Sequence, residues 1–276
     1  MKKAILVVSF GTTVQATRAA NIDMLESEAA AGFPEWEVRR AFTSATVRAR
    51  IASEEGLVID PPSEALAKLA HEGFQSVMIQ PTHVIPGEEY DRLVEAITPF
   101  CREKAFDSLK LGRPLLYYEG NEPSQPDDYR IAVEALKTQL PANEPDEPGK
   151  VVLMGHGSGH FADRCYDLFQ ERLDSAGLPV FTATVEGSRT FEDALDWLER
   201  SGVRKVVLMP FMLVAGDHAI NDMAGPEEDS WESRLRDAGY EVSSHLRGLG
   251  ENPAFRSIYL DHLRAALPFS VQRRSL

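Results

Sequence analysis

The stretch VVLMGHGSGH, residues 151–160, indicates the fold class and contains the first candidate functional residue. A run of apolar residues ends at His156, which stands between Gly155 and Gly157. An apolar run bounded by glycine is typical of a buried strand that ends in a sharp turn. A histidine at such a turn is a base, a metal ligand, or a polar residue held by a hydrogen bond, and the rest of the chain decides among these roles.

Similar apolar runs recur along the whole chain, with helix-like segments between them. The strand-like runs are AILVVSF, WEVRRAF, SVMIQPT, LGRPLLYY, KVVLMGH, PVFTATV, KVVLMPFML and YEVSSHL. The predicted helices include residues 62–72, 88–102, 161–176 and 190–200. Near-continuous apolar strands that alternate with amphipathic helices predict an α/β fold, in which helices flank parallel sheets.

The two halves of the sequence also resemble each other. Residues 76–93 (SVMIQPTHVIPGEEYDRL) align with residues 205–222 (KVVLMPFMLVAGDHAIND), which places Glu89 opposite His218. Residues 7–13 (VVSFGTT) align with residues 153–159 (LMGHGSG), which places Phe10 opposite His156. A third match, SEALAKLAHEGFQSV with EDALDWLERSGVRKV, follows the same order. We therefore predict two pseudo-symmetric lobes, each a parallel sheet flanked by helices.

The boundary between the predicted lobes falls in a region rich in proline, glycine and acidic residues. Residues 120–128 (GNEPSQPDD) and 140–150 (LPANEPDEPGK) have this composition and flank one helix. Such segments mark domain boundaries. The sequence thus predicts an N-terminal lobe at 1–127 and a C-terminal lobe at 128–276, and leaves open that the final helix packs back on the first lobe.

Composition and charge exclude several classes of function. With 29 basic and 43 acidic side chains the net charge is −14, which disfavours nucleic acid as a partner. No apolar stretch is long enough to span a membrane, and the apolar run near the N-terminus is too short for a secretory signal. Two cysteines without CxxC spacing fit a reducing compartment, so we expect a cytoplasmic protein.

Three residues follow buried strands in the second half and form a candidate metal site. His156 and Glu186 are 30 residues apart, and Glu186 and His218 are 32 apart, so each interval holds about one helix and one strand. Ligands of open α/β sheets bind beyond the carboxyl ends of the strands. Two imidazoles and a carboxylate suit cobalt, nickel, iron or zinc, but residues in these positions also hydrogen-bond turn backbones. Two facing halves would place Phe10 and Glu89 around the same cleft.

Other polar residues carry weaker signals. His83 is expected either to face the cleft or to be structural, and Glu88 and Glu89 begin a helix, where acids are favoured in any case. A helix that joins His156 to His160 is not expected, because Gly-Ser-Gly intervenes. The chain lacks a complete dinucleotide fingerprint, a P-loop and a G-x-S-x-G nucleophile elbow, which argues against nucleotide-dependent and serine hydrolase chemistry.

Several motifs resemble those of the CbiK family of single-subunit, anaerobic sirohydrochlorin cobaltochelatases. They are MKKAILVVSFGTT, AFTSATVRARI, IPGEEYDRL, VVLMGHGSGH, TVEG, LMPFMLVAGDHAINDMAG and GLGENPAFRSIYLDHLRAAL. The resemblance covers nearly the whole chain and implies a ferrochelatase-like class II chelatase fold. It also implies that His156, Glu186 and His218 bind the metal, and that Glu89 is the acidic residue of the first lobe.

The activity implied by the resemblance is insertion of Co²⁺ into sirohydrochlorin, an early step of oxygen-independent cobalamin biosynthesis. His156 and Glu89 are then the expected catalytic residues, and Phe10, Thr12, His83 and Glu88 are expected to contact the tetrapyrrole.

Several alternatives stay open at this point. Fe²⁺, Ni²⁺ or Zn²⁺ can occupy the same donors, so ferrochelatase or nickel chelatase activity on sirohydrochlorin is the nearer alternative. A carrier that binds metal or tetrapyrrole without turnover is the more distant one. The expected partners are sirohydrochlorin and a divalent metal, without nucleic acid or membrane, and a homo-oligomer is also left open.

Overall fold

Two β-sheets organise the chain, one in each of two α/β units. The computed structural model describes residues 1–141 and 149–270. Unit 1 comprises Met1–Leu115 together with the C-terminal residues from Arg256 onward, and unit 2 comprises Leu116–Phe255.

The helices and strands alternate along the chain as the sequence predicts. The first segment contains β1 (Lys3–Ser9), α1 (Gln15–Arg18), a π-helical turn (Ala19–Asp23), α2 (Met24–Gly32), β2 (Glu37–Phe42), α3 (Ala45–Glu55), α4 (Pro62–His71), β3 (Ser76–Pro81), α5 (Glu88–Arg102) and β4 (Ser108–Leu111). Unit 2 contains α6 (Asp128–Lys137), β5 (Lys150–Gly155), a 3₁₀ turn (Phe161–Asp163), α7 (Arg164–Ser175), β6 (Val180–Thr184), α8 (Phe191–Ser201), β7 (Lys205–Pro210), a π-helical turn (Ala219–Met223), α9 (Trp231–Asp237), β8 (Glu241–Ser244) and a 3₁₀ turn (Leu249–Glu251). The chain then continues into α10 (Pro253–Arg264) and β9 (Leu267–Pro268).

The two sheets share one strand order. Unit 1 has the order β2-β1-β3-β4-β9, with parallel pairing except for the antiparallel β9. Unit 2 has the order β6-β5-β7-β8 and is wholly parallel. In each unit the first four strands therefore lie in the order second, first, third, fourth. The strand order reverses beside the first strand, because the second strand lies on one side of it and the third on the other. Open α/β sheets bind their ligands at such a point.

The likeness of the two units extends to single backbone hydrogen bonds. The N–H of Thr82 donates to the carbonyl of Val8 over 2.9 Å, and the N–H of Phe211 donates to the carbonyl of Met154 over 2.7 Å. These are the positions that the alignment of the two sequence halves matches. The α/β class with parallel sheets flanked by helices is confirmed.

One predicted strand is displaced. The run LGRPLLYY starts at Leu111, which is the last residue of β4, so only its first residue is in a strand. Gly112 and Pro114 explain the early end. A Cβ at Gly112 would lie 2.2 Å from the side-chain oxygen of Gln80, and Pro114 has no N–H to donate to a ladder.

The boundary between the two units falls between residues 115 and 116, whereas the sequence predicts it between residues 127 and 128. Hydrogen bonds and ion pairs tie the segment that begins at Leu116 to α7, since Arg164 pairs with Glu119 and Arg172 pairs with Asp127. The proline-rich segment 120–128 is therefore part of unit 2. In the second predicted boundary segment, residues 142–148 lie outside the described residues.

Most of α10 belongs to unit 1. Arg256 donates to the carboxylate of Glu28 over 2.8 Å, and the hydroxyl of Tyr259 donates to the carbonyl of Thr82 over 3.1 Å. Over residues 1–141 and 149–270, no helix is long and apolar enough to cross a membrane.

Candidate metal centre

The loop after β5 carries His156 and has a backbone that only glycine adopts easily. Gly157 has a φ of 76°, in the left-handed region. A Cβ at this position would also lie 2.3 Å from the backbone nitrogen of Gly187. Glycine therefore lets the loop that follows His156 touch the loop that follows Glu186.

Glu186 follows β6 by two residues, and its backbone extends the pairing of β5 with β6. The last ladder pair joins Gly155 to Thr184, and beyond it the N–H of Glu186 donates to the carbonyl of His156 over 2.8 Å. The side chains are neighbours as well, since His156 Nδ1 and Glu186 Oε2 are 4.0 Å apart.

His218 reaches the same region on a loop rather than at the end of a strand. β7 ends at Pro210, eight residues before His218, so His218 follows its strand at a greater distance along the chain than Glu186 does. One further backbone bond, from the N–H of Phe211 to the carbonyl of Met154, holds the chain on β5 before the loop begins. The backbone of Met212 accepts a hydrogen bond from Leu249 over 2.9 Å, which anchors the loop, and His218 stands at the start of the π-helical turn Ala219–Met223.

The two histidine rings lie edge to face. Their centroids are 5.0 Å apart and the ring planes meet at 84°. The side chains of His156, Glu186 and His218 are 46%, 63% and 38% exposed, so an ion from solvent can reach all three. The structure thus places His156 next to both Glu186 and His218.

Hydrogen bonds determine which ring nitrogen carries a lone pair. The Nδ1 atom of His156 lies 2.9 Å from the carbonyl of Gly157, which can only accept, so in the neutral ring Nδ1 holds the proton. The Nδ1 atom of His218 likewise holds a proton and donates it to the carboxylate of Asp222. Both histidines therefore present Nε2 as the basic nitrogen, and a carboxylate on the opposite ring nitrogen is a common arrangement for a metal-binding histidine.

The donors are not arranged around a single point. Among residues 1–141 and 149–270, no three His, Cys, Asp or Glu side chains form a ready metal-binding group. The Glu186 carboxylate lies on the Nδ1 side of His156, so it must turn to share an ion with Nε2. Glu186 is long and exposed, which makes this rotation inexpensive. Two imidazole nitrogens and one carboxylate fit Co²⁺ and related divalent ions.

The corresponding positions of unit 1 lack imidazole donors. The N–H of Ser44 donates to the carbonyl of Phe10 over 3.3 Å, as Glu186 does to His156, so Phe10 and Ser44 stand where unit 2 has His156 and Glu186. Ser44 instead caps α3 through Val47. The third aligned position holds Glu89, whose carboxylate lies 2.6 Å from Arg92.

The residues expected to contact the tetrapyrrole have different surroundings. Phe10 is half-exposed, and Glu88 is exposed at 3.6 Å from Arg92. Thr12 is buried, and its hydroxyl accepts a hydrogen bond from the N–H of Val14 over 3.2 Å, so this oxygen already serves the local turn.

His83 has an unusual environment. Both ring nitrogens are inaccessible to solvent and have no hydrogen-bond partner among the described residues. Burial lowers the pKa of His83 to about 4, although the charge of Glu89 opposes this shift. The ring packs edge-on against Tyr90, with centroids 6.4 Å apart. His83 is therefore neutral near pH 7.

Sequence reasoning missed two acidic residues near the candidate ligands. Asp222 follows His218 by four residues, and that spacing in HAIND was a usable signal for a helical His–Asp contact. Asp163 gave no such signal, because its partners, Ser158 and Ser188, lie in two different loops. The expectation about His160 is confirmed, since its Nδ1 accepts from the N–H of Ala162 and the residue precedes a short 3₁₀ turn.

Comparison with known proteins identifies near full-length relatives. The family model described as cobalt chelatase (CbiK) matches residues 3–268. A sirohydrochlorin cobaltochelatase of Salmonella typhimurium is 41% identical over 99% of this chain and 99% of its own length. The sirohydrochlorin cobaltochelatase CbiKC of Nitratidesulfovibrio vulgaris is 36% identical over 96% of this chain and 91% of its own length. A solved glucose-galactose binding protein from Geobacillus stearothermophilus is 12% identical, covers 96% of this chain and 90% of its own, and has a TM-score of 0.40, too low to support an argument.

Proposed function

The chain belongs to the CbiK cobalt chelatase family, and from this premise we propose that it is a sirohydrochlorin cobaltochelatase. The proposed reaction inserts Co²⁺ into sirohydrochlorin on the route to cobalamin. Both near full-length relatives bear the name of this activity. The observation in the structure that supports it best is the grouping of His156, Glu186 and His218 beyond neighbouring strands.

Co²⁺ is a substrate in this reaction, so its site must bind the ion and then release it. We assign the Nε2 atoms of His156 and His218 and the carboxylate of Glu186 as its ligands. The negative charge of Glu186 offsets part of the charge of the ion. Three protein ligands leave coordination positions open, through which pyrrole nitrogens can replace the protein donors one after another.

Insertion also requires that two pyrrole N–H protons leave as the metal enters. Because Nδ1 of His156 holds a proton against the Gly157 carbonyl, Nε2 is the one basic atom of this ring. It cannot hold Co²⁺ and a proton together. We therefore propose that His156 first gives up the ion and then accepts one proton, for which a neutral imidazole is well matched at pH 7.

The second proton is assigned to Glu89. This assignment rests on the family resemblance and on the position of Glu89, which aligns with His218 at the start of α5. Arg92 contacts the carboxylate of Glu89 over 2.6 Å. His83, which is neutral and has unpartnered ring nitrogens, is proposed as a substrate contact together with Phe10, Thr12 and Glu88.

The donor set also accepts Fe²⁺, Ni²⁺ and Zn²⁺, because such sites rarely select their metal by affinity alone. We therefore propose that the protein prefers Co²⁺ because it inserts this ion faster, and not because it binds this ion more tightly. We also propose that the protein acts in the cytoplasm, where its two free thiols, Cys101 and Cys165, stay reduced.

The deciding experiment follows the absorbance of sirohydrochlorin during a single turnover with Co²⁺, Fe²⁺ and Ni²⁺ in parallel. For each metal, the catalysed rate is compared with the uncatalysed rate. We expect the acceleration to be larger for Co²⁺ than for Fe²⁺ or Ni²⁺. Faster insertion of Fe²⁺ or Ni²⁺ would reassign the metal. A spectral shift on binding without faster metallation would identify a carrier and overturn the proposed enzyme activity.

A further inference from the structure

A buried carboxylate lies directly beneath the two loops that carry His156 and Glu186. Asp163 is only 6% exposed. Its Oδ1 atom accepts a hydrogen bond from the N–H of Ser158 over 3.1 Å, and its Oδ2 atom accepts from the N–H of Ser188 over 2.7 Å and from the Ser188 hydroxyl over 2.8 Å.

The two serines occupy matching positions. Ser158 follows His156 by two residues, and Ser188 follows Glu186 by two residues. One carboxylate therefore contacts each loop at the second residue after a candidate ligand. A carboxylate that accepts several hydrogen bonds, two of them from backbone N–H groups, makes strong, directional contacts, and burial strengthens them further.

Glycines make this arrangement sterically feasible. A Cβ at Gly187 would lie 2.4 Å from Oδ1 of Asp163, and a Cβ at Gly157 would meet the backbone of Gly187. The two loops and the carboxylate are thus in mutual contact without intervening side chains. A change at Asp163 therefore alters a contact of each loop.

The start of α7 holds the first loop at a second point. Tyr166 is almost completely buried, and its ring packs so closely on the end of β5 that a Cβ at Gly155 would lie 2.6 Å from its Cε1 atom. Asp163 and Tyr166 are three residues apart, so they lie on the same side of the helix start. The helix therefore provides a rigid base for the loop after β5, and Asp163 extends that base to the loop after β6.

We propose that Asp163 is a positioning residue that sets the distance between His156 and Glu186, and so determines how tightly the pair binds a divalent ion. This inference rests on the proposed function of the site. Metal ligands must lie within a few tenths of an ångström of their preferred distances, and loss of residues that orient them typically weakens metal binding by about 10- to 100-fold. Asp163 does not contact the ion itself.

The test compares Asp163→Asn with Asp167→Asn. Asp167 lies one helical turn further along α7, is exposed, and pairs with Arg189, so it offers the same chemical change but leaves the hydrogen bonds of Ser158 and Ser188 in place. Calorimetric titration with Co²⁺ alone measures affinity, and thermal unfolding measures stability. We expect Asp163→Asn to weaken Co²⁺ binding by about 10-fold or more, and Asp167→Asn to bind as the wild type does.

A double-mutant cycle separates positioning from general destabilisation. If Asp163 acts through Glu186, Asp163→Asn weakens Co²⁺ binding less in a Glu186→Gln background than in the wild type. A folded Asp163→Asn protein with a lower melting temperature but unchanged Co²⁺ affinity would overturn the inference. If Asp163→Asn does not fold, Ser188→Ala removes one hydrogen bond alone, and unchanged Co²⁺ affinity in that variant would overturn the inference equally.

Failure of the inference and failure of the proposed function give different results. If the wild type neither binds Co²⁺ nor metallates sirohydrochlorin, the proposed function itself fails. If the wild type binds Co²⁺, His156→Ala abolishes this binding, and folded Asp163→Asn has no effect, then only the role of Asp163 is excluded.

Discussion

The backbone N–H of Glu186 donates a hydrogen bond to the backbone carbonyl of His156 over 2.8 Å. This bond continues the parallel pairing of β5 and β6 beyond the last ladder pair, so sheet register sets the backbone spacing of the two residues. His218 comes from a longer loop and a π-helical turn. We therefore expect His156 and Glu186 to form the fixed side of the candidate site, and His218 to adjust when an ion binds.

The first prediction concerns the glycine that lets the two loops meet. Gly157→Ala is expected to destabilise the protein by at least about 2 kcal/mol, because it adds left-handed strain of about 1–2 kcal/mol to a steric clash with Gly187. Chemical denaturation measures the loss, and a Co²⁺ titration is expected to show weaker binding.

Gly159→Ala is the matched control for this change. It lies two residues away, and a Cβ there meets nothing within 4 Å. This variant should unfold and bind Co²⁺ as the wild type does. Equal behaviour of the two alanine variants would show that the loop contact is not needed.

The second prediction concerns catalysis. His156→Ala removes both a metal ligand and the proposed proton acceptor, so the rate of Co²⁺ insertion should fall by about 10²–10⁴-fold while the fold is retained. Stopped-flow absorbance of sirohydrochlorin measures the rate. His245→Ala, which removes an exposed histidine of the same unit, should leave the rate unchanged. Normal insertion by folded His156→Ala would exclude the role of this residue.

The strands that carry the candidate site could be predicted because the sequence is locally consistent. Apolar runs that end at glycine mark β1 and β5, and the alignment of the two halves anticipates the shared strand order. Parallel strands place their carboxyl ends at one edge of a sheet. For His156 and Glu186, their positions just after consecutive parallel strands were therefore enough to predict that they are neighbours.

Features that depend on contacts distant in sequence could not be predicted in the same way. The unit boundary follows from the ion pairs of Arg164 and Arg172 with the segment after Leu116, and no composition signal reports such pairs. The site of His218 depends on a loop that leaves its strand at Pro210. Asp163 has a structural role only because two loops fold over it.

The third prediction concerns Asp222, which contacts Nδ1 of His218. Asp222→Ala removes the partner that orients the ring and favours a lone pair on Nε2. We expect Co²⁺ binding to weaken by about 10-fold, which is the lower end of the loss in affinity typical when a residue that orients a metal ligand is removed. Titration with Co²⁺ alone checks this result. Asp196→Ala, an exposed carboxylate on α8, is the control and should bind normally. Unchanged affinity in Asp222→Ala would mean that His218 is oriented by other contacts.

The last prediction concerns His83, whose buried ring nitrogens have no partner among the described residues. His83→Met introduces the residue type found at the aligned position Met212. At pH 7 we expect the free energy of unfolding to rise by about 1 kcal/mol, because unpartnered buried polar atoms are removed. If His83 contacts the substrate, the same variant should raise the KM for sirohydrochlorin.

The pH dependence of His83→Met provides a sharper test. The pKa of His83 falls from 6.5 to about 4 on folding. Between pH 6.5 and pH 4 the unfolded chain therefore binds a proton at His83 that the folded protein does not bind. The wild type loses stability as the pH falls through this range. The full shift corresponds to roughly 3 kcal/mol. Urea denaturation at pH 7 and at about pH 4.5 should therefore show a stability advantage of His83→Met that widens by roughly 2–3 kcal/mol. A difference between His83→Met and the wild type that stays constant over this pH range would show that folding does not lower the pKa of His83.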